Sequence, residues 1–115
     1  MLAKEFRLKG QKNFDQILQS PNVARGQFLY VKFVKNNLSQ TRFGLIISNK
    51  ISPLANKRNY TRRLLRQILM ENKKKINPGF DVAILAKSNI IGVKLPILRE
   101  DLEKTLTQIK ILNSN

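Results

Sequence analysis

The chain has no cysteine and no histidine. Without cysteine it forms no disulfide and offers no thiolate to a metal or to a nucleophilic mechanism. Without histidine, imidazole acid–base catalysis and imidazole metal ligation are excluded. Acidic residues are also scarce: seven Asp and Glu stand against 22 Lys and Arg, a net charge of +15. Glu100, Asp101 and Glu103 crowd one segment, while Glu5, Asp15, Glu71 and Asp81 stand singly. A two-metal nuclease needs several converging carboxylates, and this distribution does not resemble one. No apolar run approaches the roughly 20 residues of a membrane span. The segment Met1-Leu2-Ala3-Lys4-Glu5-Phe6-Arg7 has no apolar h-region, so no signal peptide is expected. These absences predict a cytoplasmic protein with no membrane partner.

Hydrophobic residues make up 42% of the 115-residue chain. That is enough for a core, so the chain is not a disordered basic tail. Its length suits a single domain over 1–115. Between Asp15 and Glu71 there is no acidic residue, but there are ten basic ones: Arg25, Lys32, Lys35, Arg42, Lys50, Lys57, Arg58, Arg62, Arg63 and Arg66. A solvated surface mixes both signs, because self-repulsion destabilises a compact state. A long stretch of one sign points to a partner that supplies the other, and nucleic-acid phosphate is the first candidate.

The pattern predicts α+β architecture. Asn13 to Gln19 reads as a short helix, with Phe14, Ile17 and Leu18 at i, i+3 and i+4. Phe28 to Val34 and Arg42 to Ser48 read as strands, expected to pair as an antiparallel hairpin across the turn region Lys35 to Gln40. Val23 to Gly26 is a further short strand candidate. Ser52-Pro53, or else Asn56, reads as the start of a helix reaching about Asn72. Phe80 to Ala86 is mostly apolar and reads as a central strand. Leu98, Leu102, Leu106 and Ile109 mark a last helix, with Glu100, Asp101 and Glu103 expected in its first turn.

The basic helix separates into two arcs. Tyr60, Thr61, Leu64, Leu65, Ile68 and Leu69 form one, and Arg58, Asn59, Arg62, Arg63 and Arg66 form the other. An ordinary solvated face carries i,i+4 Glu–Lys pairs. Here Arg58, Arg62 and Arg66 follow one another at i,i+4 with no carboxylate between them. Arginine also offers a planar fork suited to phosphate. The arc therefore reads as a phosphate-binding face, a pattern that also suits a ribosomal protein or a DNA binder.

Position by position, Arg58-Asn59-x-x-Arg62-Arg63-Leu64-Leu65-Arg66 resembles the signature helix of the bacterial ribonuclease P protein subunit, R-N-x-x-K/R-R-x-x-R. Arg42-Phe43-Gly44-Leu45-Ile46-Ile47-Ser48-Asn49-Lys50 is similar to that family's R-x-G-[ILV]-x-[VI]-S-K-K strand. Phe6-Arg7-Leu8-Lys9 with Asn13-Phe14 resembles its opening, and Phe80 to Ala86 resembles its D-[IVY]-[VI]-[VI]-[IV]-A-R strand. The likeness runs in order over nearly the whole chain. It departs at Tyr60, where the family usually has a basic residue, at Asn49, where a double lysine loses one charge, and at Ser52, where Gly is common.

The resemblance implies a two-layer α/β sandwich in α-β-β-β-α-β-α order, with a central mixed sheet and a left-handed βαβ crossover. It implies a subunit of the endoribonuclease that removes the 5′ leader of precursor tRNA. In that enzyme an RNA is the catalyst, and Mg²⁺ is bound mainly by that RNA and not by the protein alone. The implied partners are ribonuclease P RNA and precursor tRNA, with no protein partner required and no catalytic residue in this chain. Implied RNA contacts are Arg7, Arg42, Lys50, Arg58, Asn59, Arg62, Arg63 and Arg66. A leader-binding cleft between the first helix and the sheet would be lined by Phe14, Leu18, Leu29 and Val31. Phe33 would partly replace an aromatic that other members carry, and Tyr30 would face away. Phe14 is equally a core candidate. The alternatives are a ribosomal or other general structured-RNA-binding protein, and a nuclease acting alone through Lys50 and Asp81.

Overall fold

The computed structural model describes residues 11–113. Its elements in chain order are α1 (Gln11–Leu18), β1 (Val23–Arg25), β2 (Leu29–Lys35), β3 (Arg42–Ile46), α2 (Ala55–Glu71), a short 3-10 turn at Lys73–Lys75, β4 (Phe80–Ala86) and α3 (Leu95–Gln108). Val82, Ala83 and Ile84 are consecutive and each is 0% exposed. Successive strand residues point to opposite faces, so such a run requires cover on both. β4 accordingly lies inside a four-stranded sheet of order β1-β2-β4-β3.

The expected hairpin between the second and third strands does not form. β4 lies between them, antiparallel to β2 and parallel to β3. The turn region explains this. The Asn36 backbone N–H donates to the Gly79 carbonyl. The Asn36 side-chain amide donates to Asp81 Oδ1 at 2.8 Å and to the Gln40 carbonyl at 3.1 Å. These bonds tie the turn to the start of β4 and hold β2 and β3 one strand apart. The chain then passes from β3 through α2 to β4, a crossover between adjacent parallel strands.

One face of the sheet presents Leu29, Val31, Val82, Ile84 and Phe43 to the buried sides of α2 and α3, where Leu65, Ile68, Leu69, Leu98, Leu102 and Leu106 complete the main core. The other face carries a smaller cluster under α1. Ile17 and Ala83 are buried there, with Phe14, Val34, Ile46 and Leu85 packed around them. Full burial of one such aliphatic side chain is worth about 1.5–3 kcal/mol.

The helix ends differ from the expected ones. α2 begins after Leu54, and neither Ser52 nor Asn56 caps it. Ser52 instead accepts from the Leu54 backbone N–H at 3.3 Å and shapes the turn before the helix. α3 begins at Leu95 with Pro96 in its first turn, so Glu100, Asp101 and Glu103 fall later and no acid sits in that turn. Proline's fixed φ suits a first helical turn, and it is the start signal here.

The three displaced acids lie beyond that turn, and two of them fasten α3 to its neighbours. Asp101 accepts from the backbone N–H groups of Gln27 at 2.7 Å and Phe28 at 2.8 Å, joining α3 to the β1–β2 turn. Glu103 accepts from the Asn72 side-chain amide at 2.8 Å, and the same amide donates to the Ile68 carbonyl, closing the end of α2. Glu71 pairs with Arg99 across the same helix–helix seam. The Arg99 guanidinium holds the Glu71 carboxyl below the usual carboxylate range. A lowered folded-state pKa stabilises above the ordinary carboxylate range, and that contribution fades as pH falls through the lowered value.

Two substitutions test this packing by denaturant unfolding. Leu65→Ala, at a position with no exposure, should cost roughly 2–5 kcal/mol. A Cβ at Gly26 would lie 2.8 Å from Thr105 Oγ1 and 2.9 Å from Asp101 Oδ2. Because Asp101 is held by two backbone donors, Gly26→Ala should cost about 1–3 kcal/mol.

Candidate nucleic-acid interface

α2 divides along its length. Thr61, Leu64, Leu65, Ile68 and Leu69 are buried. Asn59 and Arg63 are exposed, and Arg58, Arg62 and Arg66 are half-buried at the margin. Tyr60, expected on the apolar arc, is instead 57% exposed at its edge. Thr61 takes the buried place by donating its hydroxyl to the Lys57 carbonyl at 3.0 Å, which satisfies its polar atom inside the helix.

Charge on this helix opposes its own dipole. No acid occupies the first turn of α2, while Lys57 and Arg58 stand near the N-terminus, where cations are unfavourable. Asn59, Arg62, Arg63, Arg66, Gln67 and Met70 line a shallow groove of about 810 Å³. Among the described residues the ion pairs are Arg42–Asp81 and Arg99–Glu71. No carboxylate among them neutralises the arginines of the groove.

Arg58 and Arg62 also shape the loop before the helix. Arg58 Nη1 donates to the Ser52 carbonyl at 2.7 Å, and Arg62 Nη2 reaches the Ile47 carbonyl at 3.5 Å. Arg62 Nη1 donates to Asn59 Oδ1 at 2.9 Å, which fixes the asparagine amide beside the groove. Lys50 lies exposed on the loop so held. Arg63 and Arg66 are free of such bonds among the described residues.

Two expectations change here. Arg42 is not a free cation: its Nε and Nη2 grip Asp81 at 2.8 and 2.6 Å. Asp81 is only 6% exposed. A buried carboxylate needs a partner of this kind, so Arg42 is a structural residue that joins β3 to β4. Asp81 is spent in the same pair and is not set beside Lys50 for chemistry. The Arg42 guanidinium pKa is raised by its hydrogen bond to Asp81, so the arginine stays charged. Arg7 lies outside the described residues.

The faces of the sheet also differ from the expected ones. Leu29 and Val31 are fully buried against α2 and α3, and Phe33 packs against the same core. They therefore lie on the face away from α1. The register places Arg25, Tyr30, Leu85 and Ile46 in one row across the α1 face and Val23, Lys32, Ala83 and Gly44 in the next. Of the expected cleft residues, Phe14 is half-buried beside Ala83 and Leu18 is 36% exposed. Lys32 Nζ donates to the Leu18 carbonyl at 2.8 Å, a cation at the C-terminus of α1.

Tyr30, expected to face away from the cleft, stands on the α1 face itself. Arg25 and Lys87 approach its ring at 5.5 and 5.0 Å from the centroid. With both cations over its ring, and Lys87 Nζ also donating to the Gly26 carbonyl at 3.2 Å, Tyr30 forms one aromatic–cation cluster on this face. The alternation within β2 carried the signal: Leu29, Val31 and Phe33 are wholly apolar, whereas Tyr30 and Lys32 on the other phase are not.

Among the described residues no group of three or more His, Cys, Asp or Glu is placed to hold a metal ion, and no helix is long and apolar enough to cross a membrane. Fold and site together define a small basic α+β protein with a cationic helix face of the kind that suits nucleic-acid phosphate.

A family model described as Ribonuclease P matches residues 2–110. The chain is 34% identical over 109 residues to the ribonuclease P protein component of Fusobacterium nucleatum, covering 91% of this chain and 97% of that one. It is 30% identical over 107 residues to that of Pelotomaculum thermopropionicum, covering 93% and 95%. The solved ribonuclease P protein of Thermotoga maritima superposes with a TM-score of 0.81 at 26% identity, covering 89% of this chain and 96% of that one. The Staphylococcus aureus protein shares the fold, with a TM-score of 0.85 at 22% identity over 94% and 98%. The chain belongs to the ribonuclease P protein family.

Arg66→Ala should leave thermal stability unchanged or slightly higher, because an unneutralised i,i+4 repulsion with Arg62 is relieved. Its affinity for structured RNA should fall by about 1–2 kcal/mol. The slope of log K against log salt should shrink by a little under one unit, because one phosphate fewer is neutralised. Filter binding across a salt series, with a thermal melt of the same preparation, checks all three.

Proposed function

We propose that this chain is the protein subunit of ribonuclease P. It binds the catalytic RNA through α2 and the preceding loop, and it binds the 5′ leader of precursor tRNA along the α1 face of the sheet. The observation that carries this reading is the row of arginines on α2, which no described carboxylate neutralises. Arg63 and Arg66 offer free guanidinium forks to phosphate, while Arg58 and Arg62 hold the loop that presents Lys50. RNA phosphate then supplies the missing charge, and the repulsion within the helix becomes affinity.

On this reading the RNA would carry the chemistry, with Mg²⁺ held mainly by the RNA supplying an activated water. The carboxylates of this chain suit that division. Asp81, Asp101, Glu71 and Glu103 are each engaged by an arginine, a backbone N–H or an amide. They are scaffold groups, and the protein contributes position and charge to a site built elsewhere.

The leader surface follows the corrected register. Phe14 and Leu18 on α1 and the Arg25–Tyr30–Lys87 cluster on the sheet flank a path for single-stranded RNA. A base stacks on the Tyr30 ring by displacing one of the cations over it, and the displaced cation meets an adjoining phosphate. A mature tRNA has no leader to lay across this surface, so the protein favours precursor over product.

Two measurements test the reading. Rigorously RNA-free protein should leave precursor tRNA intact in Mg²⁺. Adding ribonuclease P RNA should give cleavage at the mature 5′ end at near-physiological salt, and metal-dependent turnover by the protein alone would refute the proposal. Tyr30→Ala, once shown folded, should weaken holoenzyme binding of a precursor with a leader of several nucleotides by about 1–3 kcal/mol, the worth of one base stack. A precursor with a single leader nucleotide should bind as before. Equal weakening of both substrates would remove Tyr30 from the leader path.

A further inference from the structure

Tyr60 stands on α2 between the buried Thr61 and the exposed Asn59. Its ring is 57% exposed, among the most exposed large hydrophobic side chains of the described residues. With Asn56, Lys57, Thr61, Ile91 and Gly92 it lines a groove of about 430 Å³, separate from the arginine groove on the same helix. One wall is the first two turns of α2. The other is the turn after β4 that contains Ile91 and Gly92. Gly92 has φ +85 and nothing within 4 Å of where a Cβ would stand, so the groove is open on that side.

The lining has the composition of a base pocket. The tyrosine ring and Ile91 provide apolar area. The backbone of Gly92 is approachable at close range. Asn56 is exposed and offers both a donor and an acceptor, the pair of functions needed to read the edge of a base. Thr61 is buried with its hydroxyl spent on the Lys57 carbonyl, so it competes for nothing. Lys57 is exposed beside the groove and can meet a phosphate. Lys57 is the charged residue of the lining, and no carboxylate among the described residues lines the groove. This charge favours a polyanion over an acid-poor peptide.

We propose that this groove receives one unpaired nucleobase of RNA, stacked on the Tyr60 ring, with an adjoining phosphate on Lys57. The proposal rests on the reading that α2 faces the RNA subunit. It adds a contact of a different kind, since stacking on a neutral ring does not depend on counterion release as the arginine contacts do.

The full-length chain and ribonuclease P RNA suffice for the test. Tyr60→Ala should bind about tenfold more weakly, the order of one base stack. Its salt slope should equal that of the wild type, because every phosphate partner is retained. Tyr60→Phe should keep wild-type affinity, and Tyr60→Leu should not, which separates stacking from apolar bulk. The chain has no tryptophan, so Tyr60→Trp carries a single indole reporter. Its emission should be quenched on binding RNA and shielded from acrylamide. Thermal melts confirm folding at this exposed site.

Wild-type affinity in Tyr60→Ala, together with an indole equally open to acrylamide in the complex, would overturn the inference and leave the functional reading standing. A wild-type protein that fails to bind ribonuclease P RNA would overturn both. Self-association of the wild type that disappears in Tyr60→Ala would assign the groove to a second copy of the chain and overturn the nucleobase.

Discussion

The structure depends on one strand that must be hidden on both sides. β4 carries Val82, Ala83 and Ile84 in succession without exposure, and no single layer can bury such a run. α2 and α3 cover one face and α1 the other. The place of β4 between β2 and β3 sets the parallel pairing with β3. That pairing makes α2 a crossover helix lying on the sheet, with only its outer arc left for solvent. The candidate functional surface is thus what remains of α2 after the core has taken Leu64, Leu65, Ile68 and Leu69.

The same economy governs charge. The chain has few carboxylates, and the fold uses four of them as fasteners. Asp81 neutralises Arg42 where β3 meets β4, Asp101 caps the β1–β2 turn, and Glu71 and Glu103 tie α2 to α3. None of the four is left beside the arginines of α2, so that face is unneutralised within the described molecule. On the proposed reading a partner rich in phosphate completes it, and the cations near the helix N-terminus, unfavourable by themselves, become favourable on binding. The engaged carboxylates and the unneutralised cations are then two aspects of one charge distribution among the described residues.

Much of this was legible in the residues. The acid-free stretch, the two arcs of α2 and the apolar run of β4 each follow from local pattern, because amphipathic period and charge balance act within a few turns or a few residues. The short strand at Val23–Arg25 and the α+β order were legible for the same reason. What misled was also local. Ser52-Pro53 looks like a cap but shapes a turn, and Glu100, Asp101 and Glu103 look like a first turn although Pro96 had already started the helix. Arg42 belongs to the basic stretch by sequence but to Asp81 in space.

The excess of cations, the helix that carries the arginine arc and the lack of imidazole or thiolate groups all follow from the residues alone, because composition and periodicity need no knowledge of what lies opposite. Which strands pair, which carboxylate takes which cation, and which phase of β2 lies under α1 were settled only by the folded chain. These depend on residues far apart in sequence, such as Asn36 with Asp81 and Gln27 with Asp101. A strand's alternation separates its two faces but does not say which helix covers each. One register step therefore moved the proposed leader contact from Leu29 and Val31, sealed in the core, to Tyr30 between Arg25 and Lys87.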